Sequence, residues 1–297
     1  MEHEHNHSAR ASMPRLIWAG LLNLAIAAVE FLGGIFSGSL SIISDALHNF
    51  TDAGSVGVSI VALKLIDKPK DLTHTFGLKR AQILAAIFNS VLLIIVSLFL
   101  MKEAVVHLVH PAHVEAGVMM IVGGFGLVAN LLGTLLLRRD SAENINIRSS
   151  YLHLLADSMS SAAVILGGLF IYLFSAYWID PLLTFAISMY VLREGWEITK
   201  ESVEIIMMAT PHSVDIEKIK ALIEQLPSVV NVHHVHTWTQ SEHDLHFEAH
   251  VDVVPEVEVK ETTELQKLIA ARLADGFGIN HVTLQFECGL CGRKQLV

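Results

Sequence analysis

Residues 81–106, AQILAAIFNSVLLIIVSLFLMKEAVV, run for 21 positions before their first charged side chain, Lys102. A bilayer's hydrocarbon core is about 30 Å thick and takes about 20 apolar residues to cross as a helix. This stretch therefore reads as a membrane helix, and the rest of the chain is organised around it. Five further segments are long and apolar enough on the same reading: 15–36, 40–65, 114–137, 146–174 and 178–205. The expected fold is an α-helical membrane bundle of six transmembrane helices. Composition agrees, since 52% of the 297 residues are hydrophobic and only 17% charged, with a mean hydropathy of +0.51. A soluble domain of this size would carry more charge on its surface.

The links between segments are informative. Ser37-Gly38-Ser39 is short and turn-like, as is the link marked by Tyr177, Trp178 and Pro181. Arg10 and Arg15 precede the first segment, Lys64, Lys68, Lys70, Lys79 and Arg80 flank the second loop, and Arg138, Arg139 and Arg148 flank the fourth. The first and fifth loops have no Lys or Arg, and the third only Lys102 near its start. The positive-inside rule places both termini in the cytoplasm. Residues 1–12 form a His-rich cytoplasmic tail beginning MEHEHNHS, with no cleavable signal peptide. The helical membrane domain spans 13–210. A net charge of −10 gives no basic face for nucleic acid, so no nucleic-acid partner is expected.

After Thr210-Pro211 the composition changes. Residues 211–297 hold 13 Asp and Glu against 7 Lys and Arg and no membrane-length apolar run. Ile216, Ile219, Leu222, Ile223 and Leu226 recur at helical spacing in 215–226, and 257–274 reads as a second helix. Residues 229–238, 245–254 and 281–287 read as strands. The resulting C-terminal cytoplasmic α+β domain (αββαβ) suits a small sheet with helices packed on one face.

The second segment contains SDALHNFTD and the fifth HLLAD, which put His48 and Asp52, and His153 and Asp157, each four residues apart. Residues at i and i+4 share one helical face. Two such clamps facing each other offer two imidazole nitrogens and two carboxylates, a tetrahedral set suited to Zn²⁺. A carboxylate at mid-membrane costs about 2.5–3.5 kcal/mol on insertion scales and usually marks an ion or proton pathway. The bland reading, an internal hydrogen bond between adjacent turns, serves for one pair better than for two matched pairs. Asp45, one turn before His48, suits a neighbouring partner or a proton carrier. Asn23, Glu30, Asn89 and Asn130 read as interhelical hydrogen-bonding groups.

Outside the bundle, Asp71 and His74 sit three apart in the second loop, as a weak metal pair or a solvated one. His107, His110 and His113 lie near the outer end of the third segment and read as surface histidines. In the tail, NVHHVHTWTQSEHDLHFEAH places His233, His234, His236, His243, His246 and His250 on neighbouring strands. Alternation puts His246, Glu248 and His250 on one face, where His233 or His234 joins from across the ladder and Glu287 and Cys288 from the third strand. Cys288-Gly-Leu-Cys291 has the spacing of a metal or redox pair.

SDALHNFTD, HTFGLKRAQILAA, HLLAD, WIDPLLTFAISMYVLREGW and the His-rich αββαβ tail ending HVTLQFE together resemble the cation diffusion facilitators, proton-coupled efflux transporters of zinc and related ions. The resemblance covers nearly the whole chain. It implies a homodimer of six-helix protomers in the lipid bilayer with a ferredoxin-like cytoplasmic domain, a transport site of His48, Asp52, His153 and Asp157 between helices two and five, and exchange of Zn²⁺ (with Cd²⁺ and Co²⁺ as further candidates) for protons. His48 resembles the zinc-preferring branch, whereas manganese-preferring members carry an Asp-type pattern there. The family's loop site uses Asp-x-x-His-x-x-x-His; Asp71 and His74 fit it, but Leu78 stands where the last His would be. His233 and His250 look like the family's ligands at the dimer interface. Gln285 and Glu287 replace the His and Asp of some bacterial relatives, and Cys288 and Cys291 are closer to the zinc-sequestering branch. A regulatory Zn²⁺ in the tail is the corresponding expectation.

An intramembrane metallohydrolase would need a His-Glu-x-x-His helix and an open coordination position, and none of the six segments carries that motif. A metal sensor merely anchored in the membrane would not require matched ligand pairs inside it. The expectation is thus a transporter and not an enzyme. The lack of a long loop between helices four and five points to a multi-pass protein of a bacterial cell inner membrane.

Overall fold

Backbone groups inside a bilayer have no water to bond, so long apolar runs satisfy them internally as helices. The computed structural model describes residues 5–138, 145–241, 244–291 and 295–297, with side chains from residue 20 onward except those of 137 and 145–150. The side chains of the His-rich tail, 1–12, and His243 lie outside that description. Six long helices come first: α1 (His5–Ser37), α2 (Leu40–Ile66), α3 (Ala81–Val109), α4 (Ala116–Leu137), α5 (Ile145–Phe174) and α6 (Ile179–Ile206). Among the described residues, five are long and apolar enough to cross a membrane, those within α1 to α5. The sixth expected span differs because Asp180, Arg193 and Glu194 interrupt the apolar run of α6, and Glu197, Lys200, Glu201 and Glu204 follow.

The chain divides into two compact units. One holds the residues up to Ala62 together with Ala85–Thr199. Its core includes Ile42, Val114, Met119, Val122, Val164 and Ile171. Helices α1 and α4 approach closely at Gly33, where a Cβ would collide with Val122. Leu, Ile, Val and Phe side chains such as Phe36, Ile121 and Leu136 remain exposed on the outside of this unit, as lipid-facing surfaces require. Gly38 takes φ 69° in the α1–α2 turn, a conformation glycine adopts without penalty.

The second unit comprises Leu63–Leu84 and Lys200–Val297. It contains α7 (Ile216–Glu224), β1 (Val229–Ser241), β2 (Asp244–Val253), α8 (Val259–Phe277) and β3 (His281–Glu287). Asp215 caps α7 by accepting from Lys218 N at 3.2 Å. Glu258 and Glu261 form a capping box on α8, and Gly278 closes it in the left-handed conformation. The sheet order is β1-β2-β3, with β1 and β2 antiparallel and β2 and β3 parallel. Ile219, Ile223, Ile269 and Leu273 from the helices share one core with Val235, Phe247 and Ala249 from the sheet. The alternate residues of β2, namely His246, Glu248, His250 and Asp252, therefore stand on the opposite, polar face. Within this unit Lys79 Nζ lies 2.7 Å from Asp244 Oδ2. Burial pushes the Asp244 carboxyl upward, but the Lys79 ammonium and the Ser241 hydroxyl outweigh it and hold the group below its ordinary value.

Candidate metal centre

Helix α2 presents His48 and Asp52 on one face, and α5 presents His153 and Asp157. The four side chains meet as a ring in which each imidazole touches both carboxylates. His153 Nε2 lies 3.1 Å from Asp52 Oδ2 and 3.6 Å from Asp157 Oδ2. His48 Nε2 lies 3.5 Å from Asp52 Oδ2 and 3.7 Å from Asp157 Oδ1. Ligands 2.0–2.2 Å from a tetrahedral zinc are separated by about 3.3–3.6 Å, and the four contacts, 3.1 to 3.7 Å, scatter around that length. His48, His153 and Asp157 bring one donor atom each within 4.8 Å of one another, and Asp52 joins through its contacts with both imidazoles. His48 and Asp157 are buried. The His153 side chain is 34% exposed, which makes its side of the ring the open one. Asp157 Oδ2 and His48 Nδ1 are buried without a hydrogen-bond partner among the described residues.

Around the ring the buried polar residues divide by partner. Asp45 accepts from Ser160 Oγ at 2.9 Å and Ser161 Oγ at 3.4 Å. Glu30 accepts from Asn49 Nδ2 at 2.9 Å, an interhelical bond of the kind expected for it. Asp180, which sequence reasoning missed, accepts from the hydroxyls of Ser39 and Ser41 at 2.6 Å each and from Leu40 N at 2.7 Å. It caps the first turn of the helix that carries His48 and Asp52. The Trp-Ile-Asp-Pro start of α6 is a visible signal for a helix N-terminus, but nothing local ties its aspartate to a helix 140 residues earlier.

In the second unit, His233, His250, Glu287 and Cys291 gather. Glu287 Oε1 is 3.0 Å from His233 Nε2, and Oε2 is 3.3 Å from His250 Nδ1. Cys291 Sγ lies 3.8 Å from His250 Nδ1 and 3.6 Å from Glu287 Oε2. His233 Nε2 and Glu287 Oε1 are buried, yet neither makes a hydrogen bond among the described residues despite their separation. The two atoms are close but not aligned for a hydrogen bond, and the four donors together could hold a metal ion. Cys288 is exposed and outside the cluster: the turn at Gly289 (φ 64°), held by Gly289 N donating to Asp252 Oδ1 at 2.7 Å, turns only the second cysteine back. Asp71 and His74 join no group of three donors among the described residues. Asp71 Oδ1 accepts from Thr73 N and His74 N at 2.8 and 2.6 Å, so it caps its own turn, and those bonds hold its carboxyl below the ordinary value. His246 packs against Trp238 and His281, and burial, then His281, lowers its pKa.

Membrane-length helices carrying a His₂Asp₂ ring, joined to a small sheet with a His-rich face, define a metal-handling membrane protein. The sequence model described as the cation efflux transmembrane domain matches residues 16–207, and that of the cation efflux protein cytoplasmic domain matches residues 211–288. The chain belongs to the cation efflux family, the cation diffusion facilitators of zinc type. It is 34% identical over 299 residues to the zinc transporter ZitB of Escherichia coli, covering 98% of this chain and 94% of the relative. It is 33% identical to the cadmium, cobalt and zinc/H(+)-K(+) antiporter of Bacillus subtilis, over 95% and 91% of the two chains. The metal cation efflux system protein CzcD of Cupriavidus metallidurans is 32% identical, over 97% and 90%.

Proposed function

We propose that this chain exports Zn²⁺, and with it Cd²⁺ or Co²⁺, from the cytoplasm in exchange for protons, through a tetrahedral site of His48, Asp52, His153 and Asp157 between α2 and α5. The observation that carries the reading is the closed ring of contacts between two imidazoles and two carboxylates on membrane-length helices. The relatives' names supply the ions and the antiport. Ligand histidines must be neutral and ligand carboxylates ionised, so metal binding expels protons and protonation expels metal. A rocking of helices around a fixed site then gives alternating access.

In this reading α6 also spans the inner membrane, residues 13–210 are the transport domain, and both termini are cytoplasmic. Residues 211–297 form a ferredoxin-like dimerisation domain. Its cluster of His233, His250, Glu287 and Cys291 would hold a regulatory Zn²⁺, supplying a cross-link whose loading tightens the homodimer and favours the active state. Zinc flux into proteoliposomes tests the proposal: zinc accumulates with the wild-type chain and not with empty vesicles. Zinc binding without flux would mark a membrane-anchored sensor instead.

A further inference from the structure

We propose that the Nε2 atoms of His234 and His236 form a second, surface site for a divalent transition metal beside the buried tail cluster. It uses none of the four donors already described. The argument starts from strand register. His233 pairs with His250 and His236 with Glu248, so between those pairs β1 spends two residues where β2 spends one. The extra residue is a β-bulge, a device that re-aims side chains. Val235 takes the core side opposite the sheet's polar face and is buried at 1% exposure. His234 is the surplus residue and sits at φ 52°, a left-handed conformation that L side chains rarely adopt and that the surrounding structure must hold in place. The chain's last residues hold the bulge in place: His234 N and Val235 N donate to Gln295 O and Leu296 O at 3.0 and 2.8 Å.

The consequence is a row of four imidazoles. Ring centroids are 4.8 Å apart from His236 to His234, 4.7 Å from His234 to His250, and 5.6 Å from His250 to His233. The first two rings are exposed and the last is buried. The Nε2 atoms of His234 and His236 are 3.4 Å apart. That is longer than a well-formed N–H···N bond, and it equals the edge of about 3.4 Å between two imidazole ligands on one zinc. Glu248 stands opposite His236 in the register, which puts a carboxylate on the same face of the sheet. The site takes Zn²⁺ or Cu²⁺, completed by water, at the solvent end of the row that leads to His233.

The test uses the full-length protein in detergent at near-neutral pH, with zinc bound per protomer measured by equilibrium dialysis and elemental analysis. The variants are His234→Gly, which suits the left-handed backbone and so retains the fold, and His236→Gln. Each variant should lose one weakly held zinc equivalent per protomer and keep the tightly held ones. Added Cu²⁺ should show paramagnetic-resonance hyperfine structure from two nitrogens in the wild type and lose it in each variant. Unchanged weak zinc binding and copper spectra would overturn the proposal and leave the pair as a ring–ring hydrogen bond. Loss of a tightly held equivalent as well would overturn it by assigning the pair to the buried cluster.

Discussion

His153 Nε2 and Asp52 Oδ2 form a 3.1 Å hydrogen bond between two helices, and it is shorter than either contact inside a helix. The i,i+4 pairs, His48 with Asp52 and His153 with Asp157, are 3.5 and 3.6 Å apart. The second contact between helices, His48 Nε2 with Asp157 Oδ1, is the longest of the four at 3.7 Å, so each imidazole is shared between the carboxylate of its own helix and that of the other. Such sharing leaves both helices tied to one four-membered cluster.

Replacing Asp52 or Asp157 with Asn should bring zinc flux in proteoliposomes down to that of empty vesicles. Each substitution preserves shape and removes one anionic donor of the ring, so size-exclusion profile and helix content should be unchanged. Wild-type flux in either variant would remove that residue from the pathway.

His48→Asp should shift selectivity away from zinc toward larger or harder ions such as Cd²⁺ or Mn²⁺. Carboxylate oxygens suit harder cations and more geometries than a fixed imidazole nitrogen. Competition between metals in vesicles reads the ratio directly, and an unaltered zinc-to-cadmium preference contradicts the expectation.

Asp180→Ala should destabilise the helical unit by at least about 2 kcal/mol, because it strands the Leu40 N–H and the buried hydroxyls of Ser39 and Ser41 together. Denaturant unfolding in detergent micelles measures this. A loss below about 0.5 kcal/mol would mean that the cap contributes nothing that water or the serines cannot replace.

The two cysteines should separate. Cys291→Ser should weaken tightly held zinc in the full-length chain by about 100-fold or more, the upper end of the loss for an outer-shell partner, whereas Cys288→Ser should leave it unaltered. Isothermal titration of both proteins decides, and equal affinities would take Cys291 out of the cluster.

What the sequence makes legible follows from locality. His48, Asp52, His153 and Asp157 stand out because i,i+4 spacing is a property of a single helix and because charge inside an apolar run is conspicuous. The order of the tail elements is legible for the same reason, through periodicity. Asp180 is invisible because its partners are about 140 residues away and the aspartate itself looks like an ordinary first-turn residue. The split between Cys288 and Cys291 depends on the backbone turn at Gly289, and the placement of His234 on a one-residue bulge. Neither leaves a mark on hydrophobic pattern. Asp71 and His74 show a local role that spacing alone does not reveal: Asp71 accepts from the Thr73 and His74 backbone as an Asx turn while lying 3.3 Å from the His74 ring.

The central claim is that metal and protons compete for one ring of ligands, and it is tested most directly by proteoliposomes that report lumenal zinc and lumenal pH together. With the lumen initially acidic, external zinc should enter while the lumen becomes more alkaline. An ionophore that collapses the proton gradient should slow zinc influx, and Asp157→Asn should abolish both signals. Zinc influx of undiminished rate with no accompanying change in lumenal pH would contradict the exchange mechanism.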